Sequence, residues 1–135
     1  MKRFITSAIL ALLITFYLPA CKKSDKKQTT LEKIQGAWQL ESDIWNDHIS
    51  GQDNITTVTG DPGDIIDFRT DGKVYVNIGG FTDTSAYALS GDTKIILAGT
   101  QIYDIKILTA NSFILYTKEI TGGSDFSEET ITLKK

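Results

Sequence analysis

Few residues of this chain have side chains suited to chemistry. There is one cysteine, Cys21, and one histidine, His48. A Cys–His or Ser–His–acid nucleophile needs its histidine close by, and zinc sites gather several His or Cys ligands. His48 follows Trp45 and Asp47 in a polar stretch and reads as a solvated loop histidine. Asp61, Asp64 and Asp67 recur every third residue beside Gly60 and Gly63. Loop carboxylates can hold calcium, but these lack the roughly twelve-residue motif with its closing Glu. Asx-turn and solubility roles are expected of them instead. Glu119, Glu128 and Glu129 are candidates for an acid pair, yet nothing in the sequence gathers two carboxylates in a dry pocket. The expectation is therefore no enzyme, no cofactor and no metal site. Among the aromatics, Trp38 reads as a core plug. Trp45 reads either as a residue at a barrel mouth or as a half-buried surface residue, and Tyr75 and Tyr103 as strand tyrosines able to line a pocket.

The elements that would position these residues begin after a leader. Met1-Lys2-Arg3 is basic, Phe4 to Leu18 is almost wholly apolar, and Lys22 to Lys27 is charged. The apolar run has signal-peptide length and is short for a membrane span. Removing residues 1–20 leaves roughly 115 residues, enough for one domain with its own core. With a single cysteine no disulfide can form within the chain. The formal charge of −3 hides an asymmetry: from residue 28 on there are 8 Lys+Arg against 16 Asp+Glu, a body charge of −8. So acidic a body is repelled by phosphate, and no nucleic-acid partner is expected. The lysines at 22, 23, 26 and 27 favour an anionic lipid surface.

Residues 21–30 read as a tether. Leu31 to Ile34 can make one helical turn, with Thr30 as its cap and Gly36 as its stop. From Gly36 on, the pattern has period two. Trp38, Leu40, Ser42 and Ile44 share one face of the first run. A polar stretch, 46–63, follows, long for a connection but with room for a strand over Ile55–Thr59. Ile65–Arg69 and Lys73–Ile78 flank Asp71-Gly72, a strong hairpin signal. Further runs are Thr84–Leu89, Lys94–Ala98, Ile102–Leu108 (Tyr103, Ile105 and Ile107 on one face), Phe113–Tyr116 and Thr130–Leu133. About eight strands at roughly ten-residue spacing with tight turns imply an all-β, antiparallel, up-and-down barrel.

Two resemblances refine this. Leu18-Pro19-Ala20-Cys21 resembles a bacterial lipobox, with Pro19 a mild departure. The resemblance implies cleavage after Ala20 and acylation of Cys21 (diacylglyceryl and palmitate-type chains), several of which anchor a protein stably. An uncleaved anchor and an unmodified thiol are the alternatives. Leu31 through Leu40, with its Gly-x-Trp-x-Leu, resembles the opening of small lipocalin-like domains. Ile66–Gly72 and Tyr87–Asp92 resemble their hairpins, and the match spans 31–135. The whole is similar to Bacteroidetes-type envelope lipoproteins with a small lipocalin-like domain.

What the resemblance implies is a signal peptide over 1–20, a lipidated tether over 21–30 and a barrel over 31–135. The address is the cell envelope, with Lys22 leaning it toward the outer membrane, periplasmic or surface face. The implied function is non-catalytic binding of a small hydrophobic or amphipathic ligand in the barrel. Its lining would be Trp38, Phe68, Val74, Val76, Tyr87, Leu97, Tyr103, Ile105 and Leu115, which are also the expected core. The alternative is a side-chain-filled barrel that binds an envelope protein partner, with the 46–63 stretch as its recognition element.

Overall fold

The computed structural model describes residues 27–135. The leader, Cys21 and the tether up to residue 26 lie outside the described residues. One helix, α1 (Thr30–Ile34), precedes β1 (Gly36–Ile49), β2 (Gln52–Thr59), β3 (Ile65–Phe68), β4 (Lys73–Ile78) and β5 (Phe81–Ser90). Then come β6 (Lys94–Leu97), β7 (Gln101–Leu108), β8 (Ser112–Gly122) and β9 (Asp125–Lys134). Each strand from β3 to β9 pairs antiparallel with the next, and β1 pairs with both β3 and β9. Eight strands thus close a barrel, as the sequence pattern implied. The ninth, β2, stands outside the ring.

The helix is capped one residue earlier than expected, at Thr29. Thr29 Oγ1 accepts from the Glu32 amide (3.2 Å) while Glu32 Oε2 accepts from the Thr29 amide (2.8 Å). A cap at Thr30 would put Lys33, which has no acceptor, at the reciprocal position. Ile34 and the Trp38 indole N–H, which donates to the Ile34 carbonyl at 2.7 Å, fasten the helix over one end of the barrel. The turns at 69–72, 91–93 and 109–111 share this closed end. Those at 50–51, 79–80 and 123–124 lie at the opposite end, the mouth.

The polar 46–63 stretch is not an open loop. β1 runs on to Ile49, turns at Ser50 and Gly51 (φ 54° and 79°), and returns as β2. Two positive φ angles in a two-residue turn match the twist of a hairpin. β2 is exposed along its whole length. A strand that covers no core has no apolar face, so its sequence shows no alternation.

Both β2 and β3 use the same edge of β1, β2 over Ser42–Ile49 and β3 over Gly36–Gln39. The handover is at Gly60, whose amide donates to the Glu41 carbonyl at 3.1 Å. A Cβ there would stand 2.1 Å from the Leu40 carbonyl oxygen, so only glycine passes. Asp64 then holds the crossing: its carboxylate accepts from the amides of Asp61 (2.9 Å) and Gly79 (2.8 Å).

A bulge in β1 decides what the barrel contains. Leu40 pairs with Leu133, but Ser42 pairs with Thr132, leaving Glu41 as the extra residue. Below it Trp38 and Leu40 point inward. Above it the inward residues are Asp43, opposite Ile131, Trp45, opposite Glu129, and Asp47, opposite Ser127. The expected common face of Trp38, Leu40, Ser42 and Ile44 is broken, because an inserted residue reverses a period-two pattern. Ile44 is exposed. A second bulge, at Lys106 in β7, turns Ile107 outward in the same way.

The closed half is filled. Trp38, Phe68 and Phe113 pack at centroid distances of 5.4 and 5.7 Å, and Phe68 meets Tyr87 edge-on at 5.3 Å. Ile34, Leu40, Ile95, Leu115 and Leu133 complete this core, each at most 1% exposed. Burying a side chain of this kind contributes about 1.5–3 kcal/mol.

Candidate functional site: an acidic aromatic cleft at the barrel mouth

A cleft of about 590 Å³ opens at the mouth between β7 and β8. These strands pair over Asp104–Leu108 and Phe113–Tyr116 and then part. Above that point Gln101–Tyr103 pairs only with β6, and Thr117–Gly122 only with β9. The walls include Trp45, Gln101, Tyr103, Thr117, Lys118, Glu119, Glu128 and Glu129.

At its base, the buried Tyr103 hydroxyl donates to Glu129 Oε2 at 2.6 Å. Glu129 is also in hydrogen-bond contact with Asp43, whose Oδ1 accepts from the Trp45 indole N–H at 2.8 Å. Burial raises the Glu129 carboxyl above its ordinary range, and Asp43 adds to this, while the Tyr103 hydrogen bond pulls the other way. Burial likewise raises Asp43, against the Trp45 and Glu129 hydrogen bonds. Burial and the two carboxyls push the Tyr103 phenol well above its ordinary value, so it stays a donor. Two carboxyls in hydrogen-bond contact disfavour ionisation of both at once. Glycosidase carboxyls stand about 5 Å or more apart to admit a sugar bond, whereas this pair touches. What it can do is present negative charge beside the aromatic side chains of Trp45 and Tyr103.

Outward residues of the same wall carry a second network, whose Lys118 and Glu128 also line the cleft. His48 is a strand residue rather than a loop residue: its ring stacks on Phe126 (4.8 Å, 7°), and Nδ1 lies 2.7 Å from Asp53 Oδ1. Glu128 accepts from Tyr116 Oη at 2.9 Å and lies 3.6 Å from Lys118 Nζ. These partners, Tyr116 first, hold its carboxyl below the ordinary range. Glu128 and Glu129 thus face opposite sides of the wall, and Glu119 lines the cleft with Glu129.

Of the nine residues expected to line a ligand, Trp38, Phe68, Val74, Tyr87, Tyr103 and Leu115 are buried. Val76, Leu97 and Ile105 pack partly buried against them. Only Tyr103 lines the mouth cleft. Tyr75 stands on the outer wall, with Arg69 over its ring at 5.3 Å. Trp38 is fully buried, as a core plug, while Trp45 is 49% exposed at the mouth. The aspartate series scatters: Asp64 folds the crossing loop, and its two backbone hydrogen bonds lower its pKa. Asp67 lies 3.8 Å from Arg69. No group of three or more metal-ligating side chains occurs among the described residues.

Glu129 was legible as an inward residue, in phase with Ile131 and Leu133. Asp43 was not, since the bulge alone turns it inward.

Fold and cleft define a small closed antiparallel barrel with a plugged end and an open acidic mouth. The chain matches no protein-family model, no curated protein and no solved structure.

Proposed function

We propose that this protein is a lipid-anchored, non-catalytic binding barrel of the bacterial cell envelope. Residues 1–20 serve as the leader and Cys21 as the anchor, toward the outer membrane. Its ligand is a small amphipathic molecule with a cationic head, held in the mouth cleft. One observation carries this reading: Trp45, Tyr103, Glu119, Glu128 and Glu129 line a cleft of about 590 Å³ in which Lys118 is the one cation, and Asp43 is hydrogen-bonded to Trp45 and Glu129 behind it. An ammonium suits aromatic faces and a shared negative charge together. A carboxylate head would be repelled. A wholly apolar ligand has little room, because the closed half is filled by its own side chains. The reading is non-catalytic because the histidine stands on the far side of the wall from Glu129.

Trp45 is the reporter. Dodecyltrimethylammonium below its micelle concentration is expected to change Trp45 fluorescence saturably, and dodecanoate to leave it unchanged. Glu129→Gln is expected to weaken the cation about tenfold, the scale of one charge-assisted contact. No saturable response to either amphiphile would overturn the reading.

A second reading is favoured by β2, which pairs on one edge only and is exposed throughout. Such an edge suits a protein partner that adds a strand. Loss of a captured envelope partner on Thr57→Pro, with cation binding intact, would select it.

A further inference from the structure

The cations of the barrel fall into a paired and an unpaired set. Lys94 and Lys106 pair with Asp104, Lys118 with Glu128, Arg69 with Asp67 and Lys134 with Glu41. At the closed end Lys27, Lys33, Lys73 and Lys135 have no carboxylate partner among the described residues. Lys33 closes the last turn of α1, and Lys135 Nζ donates to the Gln35 carbonyl at 3.2 Å and lies 4.2 Å above the Trp38 ring. Lys33 and Lys135 rim a cleft of about 430 Å³ with Gln28, Glu32, Thr109 and Ala110. Beside α1, Leu31 is 42% exposed over a dimple of about 210 Å³, lined by Gln35, Thr70, Gly72, Tyr87, Ala88 and Leu89. The acids at this end are Glu32 and Asp71, each bound to a backbone amide, and Asp92. Around the mouth, Asp43, Asp47, Asp53, Glu119, Asp125, Glu128 and Glu129 outnumber Lys118, which pairs with Glu128.

We propose that the closed end is a membrane-docking face: Lys27, Lys33, Lys73 and Lys135 lie on the headgroups of an anionic bilayer, with Leu31 at the interface. The described chain begins at this end, at residue 27, directly after the basic residues Lys22, Lys23 and Lys26, which favour anionic lipid. The occupant that this segment brings nearest is lipid. The acidic mouth is repelled by the same surface, so the barrel stands upright with its cleft toward the solution. Attraction acts only within a Debye length and weakens with salt. The inference goes beyond the ligand reading and does not need acylation, so the two fail separately.

The test uses the chain from residue 21 with Cys21→Ser, which removes both the acyl site and the only thiol. It is mixed with vesicles of phosphatidylcholine alone or with equimolar phosphatidylglycerol. Binding is expected only to the anionic vesicles and is expected to fall at high salt. Replacing Lys33, Lys73 and Lys135 by Gln, with the tether lysines kept, is expected to weaken it by about fivefold per lysine. Circular dichroism checks that the variant is folded. An environment-sensitive fluorophore on Thr109→Cys is expected to shift to the blue on binding, and one on Ser124→Cys to stay unchanged. Unaltered affinity of the folded triple variant, or equal shifts at both labels, would overturn the proposal. So would binding to a soluble polyanion as tight as to vesicles with neither label shifting.

Discussion

Below the bulge at Glu41, β1 and β9 present Trp38, Leu40, Ile131 and Leu133 to the buried core. Above it the same two strands turn Asp43, Trp45, Asp47 and Glu129 inward, with Trp45 and Glu129 on the open cleft. The β1–β9 pairing continues across the divide with a shifted register. One inserted residue therefore lets a short barrel be a plug at one end and a polar vessel at the other. The division has an energetic logic. Partly buried carboxyls oppose folding at neutral pH, and the filled half must supply the stability that offsets them.

The sharpest way to break the comparison is to truncate one tryptophan in each half. Trp38→Ala removes a fully buried ring and its hydrogen bond to Ile34. It is expected to cost about 3–5 kcal/mol in urea unfolding. Trp45→Ala, at the half-exposed mouth, is expected to cost about 1 kcal/mol or less. Similar costs at the two sites would mean that the mouth is as firmly packed as the plug. Gly60→Ala is next. The new methyl would meet the Leu40 carbonyl, part of the backbone, at the crossing between β2 and β3. An overpacking cost of about 1–3 kcal/mol is expected, read as a lower urea midpoint with an unchanged slope.

The closed half was legible in the sequence because its strands alternate without interruption. Phe68, Val74 and Leu115 fall where period two puts them, and Trp38 shares their side of the wall. The mouth was legible only in part. Two kinds of feature escaped. The bulges at Glu41 and Lys106 insert ordinary charged residues, with no glycine or proline to mark them. Of the β1–β2 hairpin a strand over Ile55–Thr59 was legible, but not its start at Gln52 nor its pairing with an extended β1, because β2 is exposed throughout. Pairing partners set both features, and a local window contains no partner. The contact of Asp43 with Glu129 depends on both the bulge and barrel closure, and was out of reach.

Two carboxylates set the acid and neutral limbs of stability with opposite signs. Two backbone amides lower the pKa of Asp64, so it stabilises the fold above its unfolded value near 3.8. That contribution is lost as pH falls through the lower folded value. Asp64→Asn keeps one acceptor for two amides. It is expected to lower the urea midpoint at neutral pH and to leave a flatter acid limb. A midpoint equal to the parent's at pH 7 would show that the crossing loop is held by Gly60 alone.

Glu129→Gln is expected to have the smallest effect and the opposite sign. Burial raises the Glu129 pKa above its unfolded value near 4.5. Its protonated form therefore favours the fold fully below that value, and the benefit fades as pH rises through the folded value. Glutamine keeps an acceptor for the Tyr103 hydroxyl and gains a donor for Asp43, as the protonated acid has. The variant should be slightly more stable than the parent at pH 7, equal to it near pH 4, and flatter between. Urea midpoints across that range measure the difference. The same substitution is expected to weaken binding of a cationic amphiphile at the mouth. Stability gained where binding is lost would mark Glu129 as retained for its charge, at a cost to the fold. A loss of both would make it a packing residue, and the mouth would then be an extension of the plug.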